Sequence, residues 1–181
     1  MQNLEAKFKL DDLEHARKQA EAIEYQFQAT LVQRDTFFRV AEGKLKLREE
    51  QSGAWLIFYG RHNSQHLKLS NYEIVPIAEP EKTREMMTLA LGTIATVRKT
   101  RILMMREHVR LHLDRVDGLG EFGEIEAVLG EHGDPEASRP AVDQLLRALE
   151  VSPANLIEES YFEMLRLKIA SQPVPAKTSS T

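Results

Sequence analysis

Charged residues alternate with apolar ones in two segments of the C-terminal half of the chain. Arg110, His112 and Asp114 occupy every second position of one segment, and Glu124 and Glu126 flank an isoleucine in the other. Because successive side chains of a β-strand point to opposite faces, each segment would place its charged residues on a single face. Carboxylates are preferred ligands of hard divalent cations, and arginine donates paired hydrogen bonds to phosphate oxygens. Cations and carboxylates on shared faces would suit an anionic ligand held beside a divalent metal ion.

The same alternation occurs in two segments nearer the N-terminus. Lys44, Lys46 and Arg48 alternate with leucines, and Glu5 and Lys7 alternate with apolar residues at the start of the chain. One strand of this kind is usually the water-exposed face of an ordinary sheet. Four together, with aspartate and glutamate residues that are poor strand formers, are better explained by a closed barrel whose inward face is polar.

Seven cations are candidates for binding an anionic ligand. They are Lys7, Lys46, Arg48, Arg61, Lys99, Arg101 and Arg110. The alternative is that they belong to solvated strand faces, or that Arg110 forms a simple ion pair with Asp114. Four carboxylates are candidate ligands of Mg²⁺ or Mn²⁺, namely Glu5, Asp114, Glu124 and Glu126. The alternative for the last two is that they only neutralise neighbouring cations.

Length and composition predict one domain over residues 1–170 and a disordered C-terminal segment over 171–181. The chain has 181 residues, of which 42% are hydrophobic and 29% charged. Its net charge of -4 argues against a general nucleic-acid binder, which usually carries a basic excess. Without cysteine there is no disulfide or thiolate site. With neither a signal peptide nor an apolar span apparent, we expect a cytoplasmic protein, no membrane partner, and a monomer or homodimer.

Periodicity predicts four helices and two series of strands. The predicted helices cover residues 12–24, 80–92, 141–149 and 154–168. The predicted strands cover 3–10, 25–32, 35–40, 45–50, 55–59, 66–77, 93–100, 103–106, 109–116 and 122–128. Residues 130–140 are predicted to form a polar loop, because they are rich in turn-forming residues. No P-loop or dinucleotide-binding glycine motif is present, so phosphate binding by those motifs is not supported.

The order of these segments resembles a known superfamily. Residues 3–7, Asn-Leu-Glu-Ala-Lys, resemble the Glu-x-Glu-x-Lys signature of the CYTH, or triphosphate tunnel metalloenzyme, superfamily. Six further segments match in order, at residues 35–38, 43–49, 56–61, 97–101, 109–114 and 118–126. Asn3 departs from the pattern, because relatives have glutamate at that position. The resemblance extends from about residue 3 to residue 167.

The resemblance implies both a fold and an activity. The implied fold is α+β, an eight-stranded antiparallel closed β-barrel with helices packed outside. The implied activity is chemistry on a triphosphate-containing small molecule with Mg²⁺ or Mn²⁺, in which Lys7, Arg48 and Glu126 would be catalytic. Our first hypothesis is a metal-dependent triphosphatase, because no element that would read a nucleobase stands out. The alternatives are a class IV adenylate cyclase and, given Asn3, a non-catalytic binder of polyphosphate or nucleotide.

Overall fold

The computed structural model of the protein describes residues 3–60, 68–69, 72–128 and 135–170. These residues form ten strands: β1 (Asn3–Lys9), β2 (Gln26–Phe38), β3 (Lys44–Glu50), β4 (Gly53–Tyr59), β5 (Lys68–Leu69), β6 (Tyr72–Pro76), β7 (Thr93–Arg106), β8 (Val109–Val116), β9 (Gly120–Val128) and β10 (Leu156–Ile157). They also form four α-helices: α1 (Leu13–Ala22), α2 (Pro80–Leu91), α3 (Pro135–Ala148) and α4 (Tyr161–Ala170). No described helix has the length and apolar character needed to cross a membrane.

All ten strands belong to one antiparallel sheet. Its order is β10-β1-β9-β8-β7-β2-β3-β4-β6, and β5 pairs with β1. β4 pairs with β6, and β5, which precedes β6 in the chain, pairs with β1. β10 adds a short pairing to β1. The prediction of an α+β antiparallel fold is confirmed.

The register of the strands brings the charged residues onto one face. Lys7 lies opposite Glu124, which lies opposite His112 on the next strand, and Asp114 lies opposite Arg101. Directly opposed residues of neighbouring strands share a face. We call this surface the inner face, and its polar members include Glu5, Lys7, Gln33, Asp35, Lys46, Arg48, Lys99, Arg101, Arg110, His112, Asp114, Glu124 and Glu126.

The largest hydrophobic cluster lies on the opposite face, beneath α1 and α3. Leu4, Ala6 and Phe8 of β1 pack in one buried cluster with side chains of β8, β9, α1 and α3. Asp12 caps α1 as predicted, because its carboxylate accepts a hydrogen bond from the His15 amide at 3.0 Å. A second helix, α2, packs Met87 on a smaller cluster of β2, β3 and β4. The alternating pattern therefore places the largest apolar cluster outward under α1 and α3, and the charged residues inward.

Two regions differ from the secondary structure predicted over the C-terminal part of the chain. Residues 135–140 belong to α3 rather than to a loop, although Pro140 lies inside the helix. Val142, Leu145 and Leu149 are buried in the core. Burial stabilises each such side chain by about 1.5–3 kcal/mol, which together outweighs the roughly 3 kcal/mol cost of an internal proline. Residues 153–157 form a 3-10 turn and β10 instead of a helix, because β10 pairs with β1.

Predicted strand breaks in two places also proved wrong. The predicted pair at 25–32 and 35–40 is one strand, β2, and the pair at 93–100 and 103–106 is one strand, β7. The two long strands pair with each other along nearly their whole length. Polar residues that face inward interrupt the apolar pattern of each strand, and these interruptions led to the prediction of two short strands. The pairing between β2 and β7 continues across them.

Candidate active site

Asp35 anchors the first of two cation clusters on the inner face. Its Oδ1 accepts a hydrogen bond from Arg48 Nε at 2.8 Å, and its Oδ2 accepts from Arg48 Nη2 at 2.7 Å and Lys46 Nζ at 2.8 Å. Burial alone would raise the pKa of the Asp35 carboxyl, but the charges of Arg48 and Lys46 outweigh it and hold that pKa well below its usual value. The carboxylate therefore stays ionised and fixes both cations.

Asp114 anchors the second cluster and is completely buried. Arg101 donates to its two oxygens from Nε and Nη2, each at 2.6 Å. Lys99 Nζ donates to Oδ2 at 3.0 Å, and the Tyr161 hydroxyl of α4 donates to the same oxygen at 2.9 Å. Burial opposes ionisation, yet Arg101 and Lys99 hold the pKa of Asp114 well below its usual value. Asp114 therefore orders three donors from two elements of the fold.

The two clusters lie within electrostatic reach of each other. Burial, together with repulsion from Arg101 and Arg48, lowers the pKa of the Lys99 ammonium to about 7 against the attraction of Asp114. Repulsion from Arg101 also opposes the charged form of Arg48, although attraction to Asp35 keeps the pKa of Arg48 above its usual value. Crowded cations of this kind favour an anionic ligand, which would relieve their repulsion.

Three inner-face residues of β8 and β9 form a third group beside the clusters. Glu124 forms an ion pair with Lys7 and accepts a hydrogen bond from Arg101 Nη2 at 2.7 Å. Glu126 accepts from Arg110 Nη1 at 3.3 Å. His112 lies between the glutamates, with Nδ1 3.7 Å from Glu124 Oε2 and Nε2 3.7 Å from Glu126 Oε2. Burial lowers the pKa of His112, so its ring is neutral near pH 7.

The residues of this third group fit a divalent cation. His112 Nε2 faces Glu126, and its buried Nδ1 faces Glu124 without a hydrogen-bond partner. Among the described residues, no three His, Asp or Glu side chains converge as a preformed metal centre. A cation would then also need oxygen ligands from a bound anion, in the way that Mg²⁺ is commonly bound by carboxylates together with phosphate oxygens.

The charge of the inner face also favours a metal. Its described members include six cations, Lys7, Lys46, Arg48, Lys99, Arg101 and Arg110, and five carboxylates, Glu5, Asp35, Asp114, Glu124 and Glu126. The carboxylates offset most of the positive charge of these cations, so a divalent cation would help to balance a bound triphosphate.

The structure brings together nearly all of the residues predicted for the site. Lys7, Lys46, Arg48, Lys99, Arg101 and Arg110 share the inner face with Glu5, Asp114, Glu124 and Glu126. Arg61 lies outside the described residues. Lys44 points to α4, where its Nζ lies 2.8 Å from Glu163 Oε1.

Two site residues were not identified from the sequence. Asp35 entered the sequence analysis only as part of a matched segment. Its place in a strand next to the basic strand of Lys46 and Arg48 could have indicated that it pairs with these cations. The contact between Tyr161 and Asp114 was not predicted. The Tyr161 ring also lies near Lys7 and Lys99, with Nζ-to-centroid distances of 4.6 and 5.0 Å. The neighbouring Phe162 stacks on Phe37 at 4.6 Å, so α4 contacts the inner face.

Known proteins share both the sequence pattern and the fold. The family described as CYTH domain matches residues 1–161. A protein of Methanocaldococcus jannaschii named "Putative adenylate cyclase" is 26% identical over 172 residues, which cover 91% of this chain and 98% of that protein.

Two solved structures illustrate the shared fold. A protein of Pyrococcus horikoshii OT3 superposes with a TM-score of 0.80 at 19% identity, covering 89% of this chain and 98% of that one. A protein of Hippeastrum, named "Putative adenylyl cyclase" and described as having a dominant triphosphatase activity, superposes with a TM-score of 0.67 at 16% identity. That match covers 96% of this chain and 97% of the other.

Proposed function

Because the chain belongs to the CYTH domain family, we propose that its inner face binds a triphosphate-containing small molecule and hydrolyses it with Mg²⁺ or Mn²⁺. The observation that carries the proposal is the pair of cation clusters, in which buried Asp35 and Asp114 hold lysine and arginine donors in fixed positions. Donors that are already ordered lose little entropy when an anion binds, and they can stabilise charge that develops during phosphoryl transfer.

The cations fall into two roles in this proposal. Lys46 and Arg48 on one side, and Lys99 and Arg101 on the other, bind the phosphate oxygens. Arginine can hold two oxygens with its planar guanidinium, whereas lysine contributes a point charge. Lys7 and Arg110 already contact the two glutamates, so we propose that they shift towards the phosphates when a metal binds there.

The carboxylates also divide into two roles. Glu5, Glu124 and Glu126 would hold the divalent cation, which would neutralise phosphate charge and assist attack on phosphorus. Asp114 was predicted as a further metal ligand, but its oxygens accept four hydrogen bonds from three side chains. We therefore propose that Asp114, like Asp35, positions the cations.

In hydrolysis the oxygen of a water molecule forms a bond to the terminal phosphorus while the bridging phosphorus–oxygen bond breaks. The electron pair of the broken bond remains on the departing diphosphate, whose growing charge Arg48 and Lys46 or Arg101 and Lys99 would neutralise. The proton of the water molecule passes to a nearby base, for which Glu126 is our candidate. Electrostatic stabilisation by preorganised donors supplies most of the rate enhancement in this scheme.

Adenylate cyclisation is the second candidate, and the name of the Methanocaldococcus relative favours it. There a ribose hydroxyl would attack the α-phosphorus and pyrophosphate would leave. The same cations and carboxylates would serve both reactions, so the nucleophile and the leaving group distinguish them.

Product analysis tests the proposal. Purified protein is incubated with tripolyphosphate, ATP or thiamine triphosphate and with Mg²⁺ or Mn²⁺, and orthophosphate, pyrophosphate and cyclic AMP are quantified. We expect orthophosphate, and we expect Glu126→Gln to abolish its release while circular dichroism shows an unchanged fold. Cyclic AMP with pyrophosphate would support the cyclase instead. Tight binding without any product would identify a non-catalytic binder.

A further inference from the structure

His112 is a buried imidazole on the inner face that neither cation cluster uses. Its side chain is only 9% exposed, and each of its ring nitrogens faces a different glutamate. Both nitrogen-to-oxygen distances are 3.7 Å, longer than a hydrogen bond. Nδ1 is buried and has no hydrogen-bond partner. A buried polar atom without a partner is costly to the fold, so it calls for a functional explanation.

The separation of these atoms suits a shared cation. Metal–ligand distances for small divalent cations are about 2.1 Å. The sum of two such distances exceeds the 3.7 Å between His112 Nε2 and Glu126 Oε2, so one ion can contact both atoms. Glu5 lies directly opposite Glu126 on β1 and is the adjacent carboxylate.

The second ring nitrogen fits the usual environment of a metal-binding histidine. Such a residue commonly donates its other N–H to a carboxylate, which fixes the tautomer and the orientation of the ring. Glu124 Oε2 stands 3.7 Å from Nδ1, so a shift of less than 1 Å would complete that hydrogen bond. A simple ion pair explains the arrangement less well, because both contacts are long and Arg101 already donates to the same Glu124 oxygen.

We propose that His112 is a metal ligand through Nε2, beside Glu126, with Glu124 orienting the ring through Nδ1. This inference rests on the proposed function, and it specifies which cation the site takes. Mg²⁺ strongly prefers oxygen ligands, whereas imidazole nitrogen favours first-row transition ions. The site is therefore selective for Mn²⁺ or a similar transition ion over Mg²⁺. Carboxylate ligands alone would not provide this selectivity.

Pulsed electron paramagnetic resonance of Mn²⁺ tests the assignment directly. The probe is Mn²⁺ with the methylene-bridged analogue of tripolyphosphate, which is not hydrolysed and contains no nitrogen. We expect the wild-type protein to show hyperfine coupling from one directly bound nitrogen. The coupling should disappear in His112→Gln and persist in His15→Gln, since His15 is exposed on α1.

Calorimetric titration gives a second readout. His112→Gln should weaken Mn²⁺ binding at least about tenfold, as loss of a ligand or of its support typically does. Mg²⁺ binding should change much less, so the ratio of the two affinities falls. His112→Asn serves the same comparison if the glutamine variant is poorly folded.

Three outcomes separate this inference from the proposed function. Nitrogen coupling that depends on His112 supports the inference. Mn²⁺ that binds without nitrogen coupling, in a protein that still hydrolyses tripolyphosphate, overturns the inference and leaves the proposed function standing. A wild-type protein that neither binds Mn²⁺ with the analogue nor hydrolyses tripolyphosphate overturns both.

Discussion

Replacing Asp114 by asparagine should destabilise the ligand-free protein. Bound triphosphate should restore part of the lost stability. Asp114 is fully buried and receives hydrogen bonds from Arg101, Lys99 and Tyr161. Asparagine preserves the shape and one oxygen acceptor, but it removes the charge that compensates two buried cations. Arg101 and Lys99 then repel each other without the carboxylate they share, and Glu124 remains an ion-pair partner of Arg101.

The magnitude follows from the cost of an unpaired buried charge. Removing one partner of a buried ion pair costs about 3–5 kcal/mol. Because asparagine keeps one acceptor, we expect the lower end, about 3 kcal/mol of unfolding free energy. For a chain of this size that loss lowers the melting temperature by roughly 6–12 °C. Bound tripolyphosphate would supply the missing negative charge, so it should raise the melting temperature of the variant more than that of the wild type.

Thermal unfolding by differential scanning fluorimetry, without ligand, with metal and with tripolyphosphate, measures these effects. Asp117→Asn is the matched control, because it makes the same chemical change at an exposed residue near the end of the same strand. The control should melt within about 2 °C of the wild type under every condition. Near-wild-type stability of Asp114→Asn, combined with a loss of metal affinity, would refute the positioning role and restore Asp114 as a metal ligand.

Three further predictions concern other parts of the inner face and the core. Arg48→Ala should weaken tripolyphosphate binding at least about tenfold and orthophosphate binding much less, with Arg48→Lys intermediate; equal losses for both ligands in calorimetry would contradict direct contact. The folded pKa of Lys99, about 7, lies below its unfolded value of 10.5, so between these values the native state binds fewer protons and the unfolding free energy should rise with pH. Lys99→Met should remove that rise in denaturant titrations, and an identical slope would show that Lys99 titrates normally. A Cβ at Gly123 would lie 2.2 Å from the Phe8 ring, so Gly123→Ala should cost about 1–3 kcal/mol of unfolding free energy. Gly60→Ala should cost little, because a Cβ there would meet open space. Equal stabilities of the two variants would contradict this packing.

The inner face was predictable because it has a local signature. Arg110, His112 and Asp114 alternate with apolar residues, and the same period of two recurs at Lys46 and Arg48. Alternation depends only on strand geometry, so the sequence indicates which residues share a face. The sign and clustering of the charges then suggested the type of ligand.

The pairing within the site was less predictable because it depends on register. Nothing local indicates that Asp35 lies opposite Arg48 or that Asp114 lies opposite Arg101. These contacts arise from long-range pairing of strands. The hydroxyl of Tyr161 reaches Asp114 from 47 residues away, on a helix whose own periodicity carries no sign of that role.

Phosphorus NMR of tripolyphosphate turnover in oxygen-18-labelled water tests the central claim most directly. With wild-type protein and Mn²⁺ or Mg²⁺, the account predicts release of orthophosphate carrying one labelled oxygen, since water attacks the terminal phosphorus. It also predicts that Glu126→Gln releases no labelled orthophosphate, and that the wild-type protein releases none without a divalent cation. Tripolyphosphate that stays intact with every divalent cation, although the folded protein binds it, would contradict the account.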